Sequence, residues 1–438
     1  MTLEINSVAV IGGGTMGNGI AAASAAAGRR VLLLEIDQLA AGKALERALA
    51  TAQSPEERER LRERIVPGTI DSDLPRIADY DWICEAIIED LAAKRALFAR
   101  IDPLRRDGSV VSTNTSGIPL RDITAGLPER LRRDIAVTHF FNPVRVMRLL
   151  EIVAGAETRP EVTDALATFC RTALGKGVVK AKDTVNFIGN RIGCFWMLSG
   201  LHKAKPYLAS GLSPERIDAL MGAPVGLPTT GLYGLIDLIG LDVMDFVGKN
   251  LAANLPAGDA GRAFTAFPAA EQALLERGQL GRKAGGGFYR VVKQADGAKL
   301  KEVYDLATGV WRQAAAVTLA PPHDRAETLL FADDAEGRFT WDLLGGTLLY
   351  AADLIPEIAD DIVSVDRAIR WGFAWQRGPF ELLDAVGPAR VIARLEAEGK
   401  PLPRLLAVLK RVGAAGFYRD GGTEFLGGDG VYHAVPAE

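Results

Sequence analysis

The glycine-rich stretch near the N-terminus constrains the fold of this chain more than any other feature. Residues 12–17 read GGGTMG, follow the apolar run at residues 7–12 and precede an Ala-rich segment with helical character. A G-x-G-x-x-G pattern between a strand and a helix is typical of dinucleotide-binding domains, because each glycine solves a separate steric problem. Gly12 permits the tight turn, Gly14 lets the backbone approach a pyrophosphate, and Gly17 lets the helix pack closely on the strand. The pattern predicts a strand–turn–helix unit at which a dinucleotide binds.

An acidic residue at the end of the next apolar run indicates which dinucleotide is bound. Glu35 lies near the end of the run Arg30–Ile36, 18 residues after Gly17, where a carboxylate accepts hydrogen bonds from a ribose diol. A carboxylate there repels a 2′-phosphate and no arginine follows directly, so NAD is favoured over NADP. Thr15 and Met16 open the helix whose N-terminus faces the phosphates. The alternative, a glycine-rich turn without a ligand, is disfavoured by the complete context.

The N-terminal part of the chain alternates short apolar runs with helical segments. The runs are continuous in Val, Leu and Ile rather than alternating with polar residues, as expected for strands covered on both faces. We therefore predict an α/β domain with a doubly wound, Rossmann-type sheet for residues 1–183. The predicted strands are Ser7–Gly12, Arg30–Ile36, Trp82–Ile87, Ser109–Ser112, Ile135–Phe141 and Leu149–Val153.

A polar helical stretch interrupts this alternation between the second and third runs. It covers residues 39–65, and Ser54, Pro55 and Glu57 form a capping box in its middle, which marks the start of a helix. A helical hairpin inserted into the nucleotide fold is therefore predicted. Its basic side chains either meet an anionic ligand or form a solvated, salt-bridged face, and the second interpretation is favoured. These side chains are Lys43, Arg47, Arg62 and Arg64.

Helical patterns dominate after about residue 183, and they contain a weak internal repeat. Each repeat has a block of equally spaced residues, followed by Gly-Phe-Tyr at residues 287–289 and 416–418 and a Gly/Asp-rich tail resembling a β-hairpin. Two all-α domains related by this repeat are predicted, at 184–314 and 336–438, joined by a linker at 315–335. We expect them to pack together about an approximate twofold axis. The repeated residues are Gly231, Leu235, Asp237 and Gly240 in the first block and Gly378, Leu382, Asp384 and Gly387 in the second.

Charge and composition exclude several classes of protein. The formal net charge is -4, which gives no basis for broad attraction to nucleic acid or to an anionic membrane. No apolar run is long enough to cross a bilayer and no signal-peptide pattern is present, so a cytoplasmic protein without membrane insertion is expected. The cysteines Cys84, Cys170 and Cys194 are expected to be buried thiols in a reducing compartment. The four histidines are scattered, and no metal site is predicted.

A histidine and a glutamate twelve residues apart suggest acid–base chemistry. His139 lies in the run 135–141, within the phrase Thr-His-Phe-Phe-Asn-Pro, and Glu151 lies in the next run, 149–153. A carboxylate beside an imidazole fixes its tautomer and makes it a better base. Removing a hydroxyl proton while a hydride leaves for NAD needs such a base. A core histidine satisfied by a carbonyl is the alternative, and the residues alone leave both interpretations open.

Two polar segments lie where the predicted fold would bind a ligand. Ser112–Ser116 reads STNTS and follows an apolar strand, at the end of the sheet that forms the ligand crevice in this fold. A polar turn that caps the next element is the alternative. Asp183–Arg191 lies at the junction between the two domain types, where Asn190 either reaches the cleft or caps a helix.

Taken together, these segments resemble the 3-hydroxyacyl-CoA dehydrogenase family of fatty-acid β-oxidation. The resemblance covers the nucleotide domain and the first helical domain, and the phrase at residues 139–143 is its most specific part. It implies that His139 is the catalytic base and that Glu151 is its orienting partner. Ser116 and Asn190 look like the residues that hold the hydroxyl and keto oxygens of the substrate.

The same resemblance implies further ligand contacts. Asn142 looks like a contact on the nicotinamide side, and Glu89 and Lys94 look like residues that approach the cofactor. The hairpin at 39–65 resembles the part of the family that helps to hold coenzyme A. One departure is Val185-Asn186, which stands where the family often has Pro-Gly.

The expected reaction is reversible hydride transfer between C3 of a 3-hydroxyacyl-CoA and NAD. The rival interpretations are a related β-hydroxyacid dehydrogenase, which usually relies on a lysine base, and a non-catalytic NAD-binding protein of the same fold. Large bacterial members carry two C-terminal helical units and then a crotonase-type hydratase domain. No such domain follows here, either because the protein lacks it or because the chain is part of a longer one. Expected partners are an acyl-CoA thioester and a separate hydratase or thiolase, and the protein is expected to be a monomer or a homodimer.

Overall fold

The computed structural model describes residues 3–438 and divides into two compact units. The finer division of the helical part at residues 314 and 336 stays a prediction. The first unit comprises the chain up to Ile188 together with Glu357–Asp360 and Ala437–Glu438, and the second comprises Gly189–Pro356 and Asp361–Pro436.

In the described part of the chain, an eight-stranded sheet forms the centre of the first unit. Its strands are β1 (Ser7–Ile11), β2 (Arg30–Glu35), β3 (Ile65–Thr69), β4 (Trp82–Glu85), β5 (Val110–Thr113), β6 (Ile135–Phe140), β7 (Leu149–Ala154) and β8 (Gly177–Ala181). Their order is β3-β2-β1-β4-β5-β6-β7-β8, and every neighbouring pair is parallel except β6 and β7. Every side chain of β1 is buried, as expected for a strand covered on both faces. The predicted Rossmann-type α/β fold is confirmed.

The sheet has two edge strands beyond the six predicted ones. β3 pairs only with β2, and β8 pairs only with β7. β3 reads IVPGT, and its Pro67 and exposed Val66 interrupt the continuous apolar pattern that identifies the central strands. An edge strand tolerates a proline because one side of its backbone needs no hydrogen-bond partner. The pattern of buried strands therefore failed to reveal it.

The helices of the first unit include the predicted hairpin. They are α1 (Thr15–Ala26), α2 (Gln38–Leu49), α3 (Pro55–Arg64), α4 (Ile70–Asp73), α5 (Leu91–Ile101), α6 (Leu120–Thr124), α7 (Glu129–Asp134) and α8 (Pro160–Thr172). Helices α2 and α3 form the hairpin between β2 and β3. Ser54 Oγ accepts a hydrogen bond from the Glu57 amide (3.2 Å), and Pro55 occupies the first turn of α3. The residues named in the sequence pattern thus begin the second helix of the hairpin.

The second unit is mainly helical. Its first repeat contains α9 (Gly189–Ala209), α10 (Pro214–Leu220), α11 (Tyr233–Ile239), α12 (Leu241–Asn254), α13 (Ala269–Glu276), β9 (Tyr289–Lys293), β10 (Lys299–Asp305) and β11 (Val310–Gln313). After α14 (Ala326–Leu329), the second repeat contains α15 (Ala335–Thr340), α16 (Gly346–Asp353), α17 (Ile362–Phe373), α18 (Pro379–Val386), α19 (Pro388–Ala397), α20 (Arg404–Val412), β12 (Tyr418–Arg419), β13 (Glu424–Leu426) and β14 (Tyr432–Ala434). The repeats are not wholly α-helical, because each tail is a three-stranded antiparallel sheet rather than the expected hairpin.

The repeated aspartates account for the internal repeat of the sequence. The carboxylate of Asp237 accepts hydrogen bonds from two backbone amides of the Gly-Phe-Tyr at residues 287–289, at 2.8 and 2.7 Å. Asp384 accepts the equivalent bonds from residues 416–418, at 2.7 and 2.8 Å. In each repeat, one aspartate therefore anchors the start of the β-tail to the helices.

A second aspartate completes each network, and sequence analysis missed it. Asp218 in α10 accepts a hydrogen bond from the Tyr289 hydroxyl (2.8 Å), and Asp366 in α17 accepts one from Tyr418 (2.7 Å). Each also accepts two backbone amides of the next helix. Burial raises the pKa of Asp218 to about 7, although these donors oppose the shift. The first aspartate precedes its glycine block by 13 residues and the second by 12, so a comparison at constant spacing does not align them.

The two repeats contact each other within the second unit. Helix α9 packs against α17, where a Cβ on Gly193 would lie 2.1 Å from Phe373 Cζ. Arg216 of the first repeat forms a two-pronged ion pair with Glu336 of the second, at 2.7 and 2.8 Å. The predicted packing of the repeats on each other is present, and the twofold axis stays a prediction.

The cysteine side chains belong to the interior of the protein. All three thiols are free and buried, and burial raises the pKa of Cys84 and Cys194 to about 12. Among the helices described, none combines the length and the apolar character needed to cross a membrane. Within residues 3–438, no group of three or more His, Cys, Asp or Glu side chains is arranged to hold a metal ion.

Candidate active site

The glycines of the dinucleotide motif have the geometry that the sequence pattern requires. Gly12 has a φ of +99°, and a Cβ there would lie 2.5 Å from the Ala86 carbonyl oxygen. A Cβ on Gly17 would lie 1.7 Å from the Gly12 carbonyl oxygen, so only glycine allows α1 to approach this close. A Cβ on Gly14 would have no heavy atom within 4 Å. The loop is therefore closed on the protein side and open at Gly14, where a pyrophosphate would approach.

Glu35 contacts the glycine-rich loop directly. Its Oε1 accepts a hydrogen bond from the Gly13 amide (2.8 Å), and its Oε2 accepts one from the Ile36 amide (3.0 Å). The carboxylate thus lies at the carboxyl end of β2, beside the loop that follows β1. This is the position in which an acidic residue meets the adenosine ribose in dinucleotide-binding folds.

His139 and Glu151 form a buried pair. The two residues are direct partners in the antiparallel register of β6 and β7, and His139 Nδ1 lies 2.6 Å from Glu151 Oε2. Their side chains are 5% and 0% exposed. Glu151 Oε1 also accepts a hydrogen bond from the Ile188 amide (3.1 Å), which holds the carboxylate in place. Within residues 3–438, no hydrogen bond engages His139 Nε2.

An unusual backbone conformation places an aromatic ring beside the histidine. The Phe187 ring centroid lies 5.6 Å from that of His139, and the centroid of Phe141 lies 4.5 Å away. Asn186 and Phe187 have φ values of 60° and 52°. Asparagine is among the non-glycine residues that tolerate this left-handed region best. The Asn186 that stands where the family often has glycine is therefore compatible with the same turn.

Lys94 lies in the interior between two carboxylates. Its Nζ is 2.7 Å from Glu85 Oε1 and 3.3 Å from Glu89 Oε2, and its side chain is 1% exposed. Burial by itself would raise the pKa of Glu89, but the Lys94 ammonium and hydrogen bonds from Thr115 and Ser116 outweigh it and lower that pKa. Lys94 thus connects Glu85 at the end of β4 to Glu89 in the segment that follows, and its contact with a cofactor stays a prediction.

The polar segment after β5 connects this cluster to the histidine strand. Ser116 is exposed and donates to Glu89 Oε1 through its amide (2.8 Å) and its hydroxyl (3.3 Å). Asn114 Oδ1 accepts a hydrogen bond from the amide of Phe140, the residue after His139. Asn114 had no role in the sequence analysis, although it lies in the STNTS segment. Its amide group ties the end of β5 to the end of β6.

Two predicted residues lie outside this set of contacts. Asn142 is exposed and lies two residues beyond the end of β6. Asn190 is the second residue of α9 and belongs to the second unit, where it is half-buried. Its neighbour Arg191 is buried and donates to the Tyr350 hydroxyl (2.7 Å) and to Asp259. The roles of Asn142 and Asn190 toward a ligand stay predictions.

The remaining predicted residues of the first unit lie around the carboxyl end of one sheet. A glycine-rich turn, a carboxylate placed for a ribose and a buried His–Glu pair define the class of dinucleotide-binding α/β oxidoreductases. Residues 7–184 match the family model described as "3-hydroxyacyl-CoA dehydrogenase, NAD binding domain". Residues 187–291 match the model described as "3-hydroxyacyl-CoA dehydrogenase, C-terminal domain". The chain belongs to the 3-hydroxyacyl-CoA dehydrogenase family, and its N-terminal domain is the NAD-binding domain of that family.

Individual relatives agree with this assignment. A probable 3-hydroxyacyl-CoA dehydrogenase of Bacillus subtilis is 35% identical over 99% of this chain, which spans 58% of that protein. A probable 3-hydroxyacyl-CoA dehydrogenase of Deinococcus radiodurans is 35% identical over 66% of this chain and 84% of its own length. The solved structure of 3-hydroxybutyryl-CoA dehydrogenase from Escherichia coli K12 is 25% identical, with a TM-score of 0.72 over 93% of this chain and 98% of that one.

Proposed function

We propose that this protein is an NAD-dependent 3-hydroxyacyl-CoA dehydrogenase that acts in fatty-acid β-oxidation. The observation that carries the proposal is the buried 2.6 Å contact between His139 and Glu151 at the carboxyl end of the NAD-binding sheet. The related β-hydroxyacid dehydrogenases usually rely on a lysine base, and the pair found here favours an imidazole base instead.

The His–Glu pair supports proton transfer at Nε2 of His139. The Glu151 carboxylate accepts a hydrogen bond from Nδ1–H of His139, which leaves the Nε2 lone pair available as a base. His139 takes the proton from the 3-hydroxyl of the thioester, and Glu151 stabilises the imidazolium that forms. When bound, NAD supplies the acceptor for the hydride that leaves C3. Burial of the pair strengthens the electrostatic interaction, since little water screens it.

The glycine-rich loop and its neighbours fit NAD. Gly14 provides the open approach for the pyrophosphate, and the amides of Thr15 and Met16 begin α1. The N-terminus of α1 offers unpaired amide donors and a positive dipole end to the phosphates. Glu35 would accept hydrogen bonds from the ribose hydroxyls. The negative charge of Glu35 favours an uncharged 2′-hydroxyl over a 2′-phosphate.

Further residues are proposed to orient the ligands. Ser116 and Asn190 hold the reacting oxygen of the substrate, and Asn142 contacts the nicotinamide side of the cofactor. Glu89 and Lys94 support the cofactor site through the polar segment that ends at Ser116. We also propose a cytoplasmic monomer or homodimer that receives its substrate from, or passes its product to, a separate hydratase or thiolase.

The test is NADH formation by the purified protein. NAD and 3-hydroxybutyryl-CoA, or a longer 3-hydroxyacyl-CoA, should give NADH that is followed by its absorbance. The matching free 3-hydroxy acid serves as a second substrate, and NADP serves as a second cofactor. A faster reaction with the free acid would favour a β-hydroxyacid dehydrogenase. The absence of NADH with short, medium and long thioesters would refute the proposed activity.

A further inference from the structure

An arginine of the inserted hairpin contacts the dinucleotide loop. Arg47 lies in the last turn of α2, and its Nη2 donates a hydrogen bond to the Gly13 carbonyl oxygen at 2.6 Å. Glu35 accepts a hydrogen bond from the amide of the same glycine at 2.8 Å. Both backbone polar groups of Gly13 are thus held by charged side chains of opposite sign. These side chains come from β2 and from the helix that follows it.

The contact with Arg47 determines which way the following peptide group faces. In a trans peptide, the carbonyl of one residue and the amide of the next point in opposite directions. Because Arg47 holds the Gly13 carbonyl, the Gly14 amide is turned away from that guanidinium. Glycine rotates more freely than any other residue, and residues 12–14 are three consecutive glycines. Without a partner for the Gly13 carbonyl, this peptide group would lose its main restraint.

Helix α2 also packs directly against the glycine-rich loop. A Cβ on Gly13 would lie 2.3 Å from Ala44 Cβ, one helical turn before Arg47. The helix and the loop are therefore in direct contact. A change in α2 is transmitted to the loop without an intervening layer.

Within the part of the chain that the structure describes, Arg47 forms no ion pair. Among residues 3–438, no acidic group lies within ion-pair distance of its guanidinium, whereas Arg58 and Arg62 of the same hairpin lie 2.6 and 3.5 Å from Glu46. The salt-bridged face expected for the hairpin therefore describes Arg62 but not Arg47, and Arg64 instead donates to the Gly28 carbonyl oxygen (2.7 Å).

We propose that Arg47 is a positioning residue for the cofactor. Through Arg47, the inserted hairpin sets the orientation of the Gly13–Gly14 peptide and hence the affinity for the NAD pyrophosphate. This inference rests on the proposed function. The hairpin then acts on the dinucleotide site as well as serving as the expected coenzyme A contact. The guanidinium acts through the loop and takes no part in proton transfer.

The experiment compares Arg47→Met and Arg47→Lys with Arg60→Met in the full chain. Arg60 is an exposed residue of α3 in the same hairpin, so its substitution removes the same charge away from the loop. We expect the Kd of NAD, measured by isothermal titration, to rise roughly tenfold in Arg47→Met, as for loss of one charge-assisted hydrogen bond. Arg47→Lys should lose less, because it keeps a charged donor. Arg60→Met should bind NAD like the unsubstituted protein. In the Arg47 variants, kcat at saturating NAD should change little.

The outcomes separate this inference from the proposed function. The KM for the thioester and the midpoint of thermal unfolding should stay unchanged in the Arg47 variants, since a merely structural defect would move both. The role of Arg47 would be overturned if Arg47→Met and Arg60→Met bound NAD with equal affinity. It would also be overturned if the loss of NAD affinity were matched by losses of stability and of thioester affinity. If Arg47→Met does not fold, the Kd of Arg47→Lys decides in the same way. Failure of the unsubstituted protein to bind NAD would instead refute the proposed function.

Discussion

His139 and Glu151 face each other across the one antiparallel pair in the eight-stranded sheet, with 2.6 Å between Nδ1 and Oε2. Residues directly opposite in such a pair project from the same face of the sheet, so their side chains meet without any loop to position them. The reversal of chain direction at β7 thus brings the imidazole to its carboxylate through strand register alone. Because both side chains are buried and paired, their geometry is fixed before a ligand binds.

Replacing His139 by glutamine should abolish most of the activity while leaving NAD binding nearly unchanged. Glutamine keeps a polar side chain of similar size but cannot accept the proton, and loss of a general base costs about a hundredfold to ten-thousandfold in rate. The measurements are kcat and the Kd of NAD. The same substitution at the exposed residue His433, in the last β-tail, is the control. Near-normal turnover in His139→Gln would show that another group is the base.

Replacing Glu35 by glutamine should weaken the preference for NAD over NADP. The amide oxygen of glutamine can still accept the Gly13 hydrogen bond, but the negative charge that repels a 2′-phosphate is gone. Removal of one like-charge contact near the surface should raise the NADP-to-NAD ratio of kcat/KM roughly tenfold. Glu46→Gln, on the exposed face of α2, removes the same charge and should leave the ratio unchanged. A preference of the unsubstituted protein for NADP would contradict the role given to Glu35.

Replacing Asp384 by alanine should destabilise the second unit without affecting NAD binding. The substitution leaves two backbone amides at the start of the last β-tail without their acceptor, which should lower the free energy of unfolding by roughly 2–4 kcal/mol. Denaturant unfolding followed by tryptophan fluorescence measures the change. Asp333→Ala is the control, because Asp333 is fully exposed in its surface pair with Arg338. Equal stability of the two variants would mean that the repeated aspartate does not anchor the tail.

The ion pair between Glu215 and Arg312 should contribute stability that disappears in acid. Burial by itself would raise the pKa of Glu215, but hydrogen bonds from Arg312 and from the Ala315 amide outweigh it and lower that pKa to about 2. Because the folded-state pKa lies below the ordinary value, the stabilisation is present above about pH 4.5 and is lost as pH falls toward 2. The midpoints of thermal unfolding of the protein and of Glu215→Gln should be compared between pH 7 and pH 3. The difference between the two midpoints should narrow below about pH 4.5. A difference that does not depend on pH would contradict the lowered pKa.

Most of the candidate site was predictable because its signals are local. The glycine motif, Glu35 and the His139–Glu151 spacing each depend on residues within one or two neighbouring elements. The contacts of Arg47 and Asn114 were not predicted, because their partners Gly13 and Phe140 lie 34 and 26 residues away in the chain. Their side chains bind backbone groups, which leave no mark on the amino-acid sequence.

The sequence by itself determined the α/β class, the six central strands and the hairpin, since hydrophobic periodicity, glycine sterics and helix capping act over a few residues. Only the tertiary structure decided the edge strands β3 and β8, the reversed direction of β7 and the third strand of each β-tail. It also decided the pairing of Tyr289 with Asp218 across 71 residues. The physical reason is that strand neighbours and buried hydrogen-bond partners depend on which surfaces meet when the chain folds. Local preferences of the backbone and side chains do not carry that information.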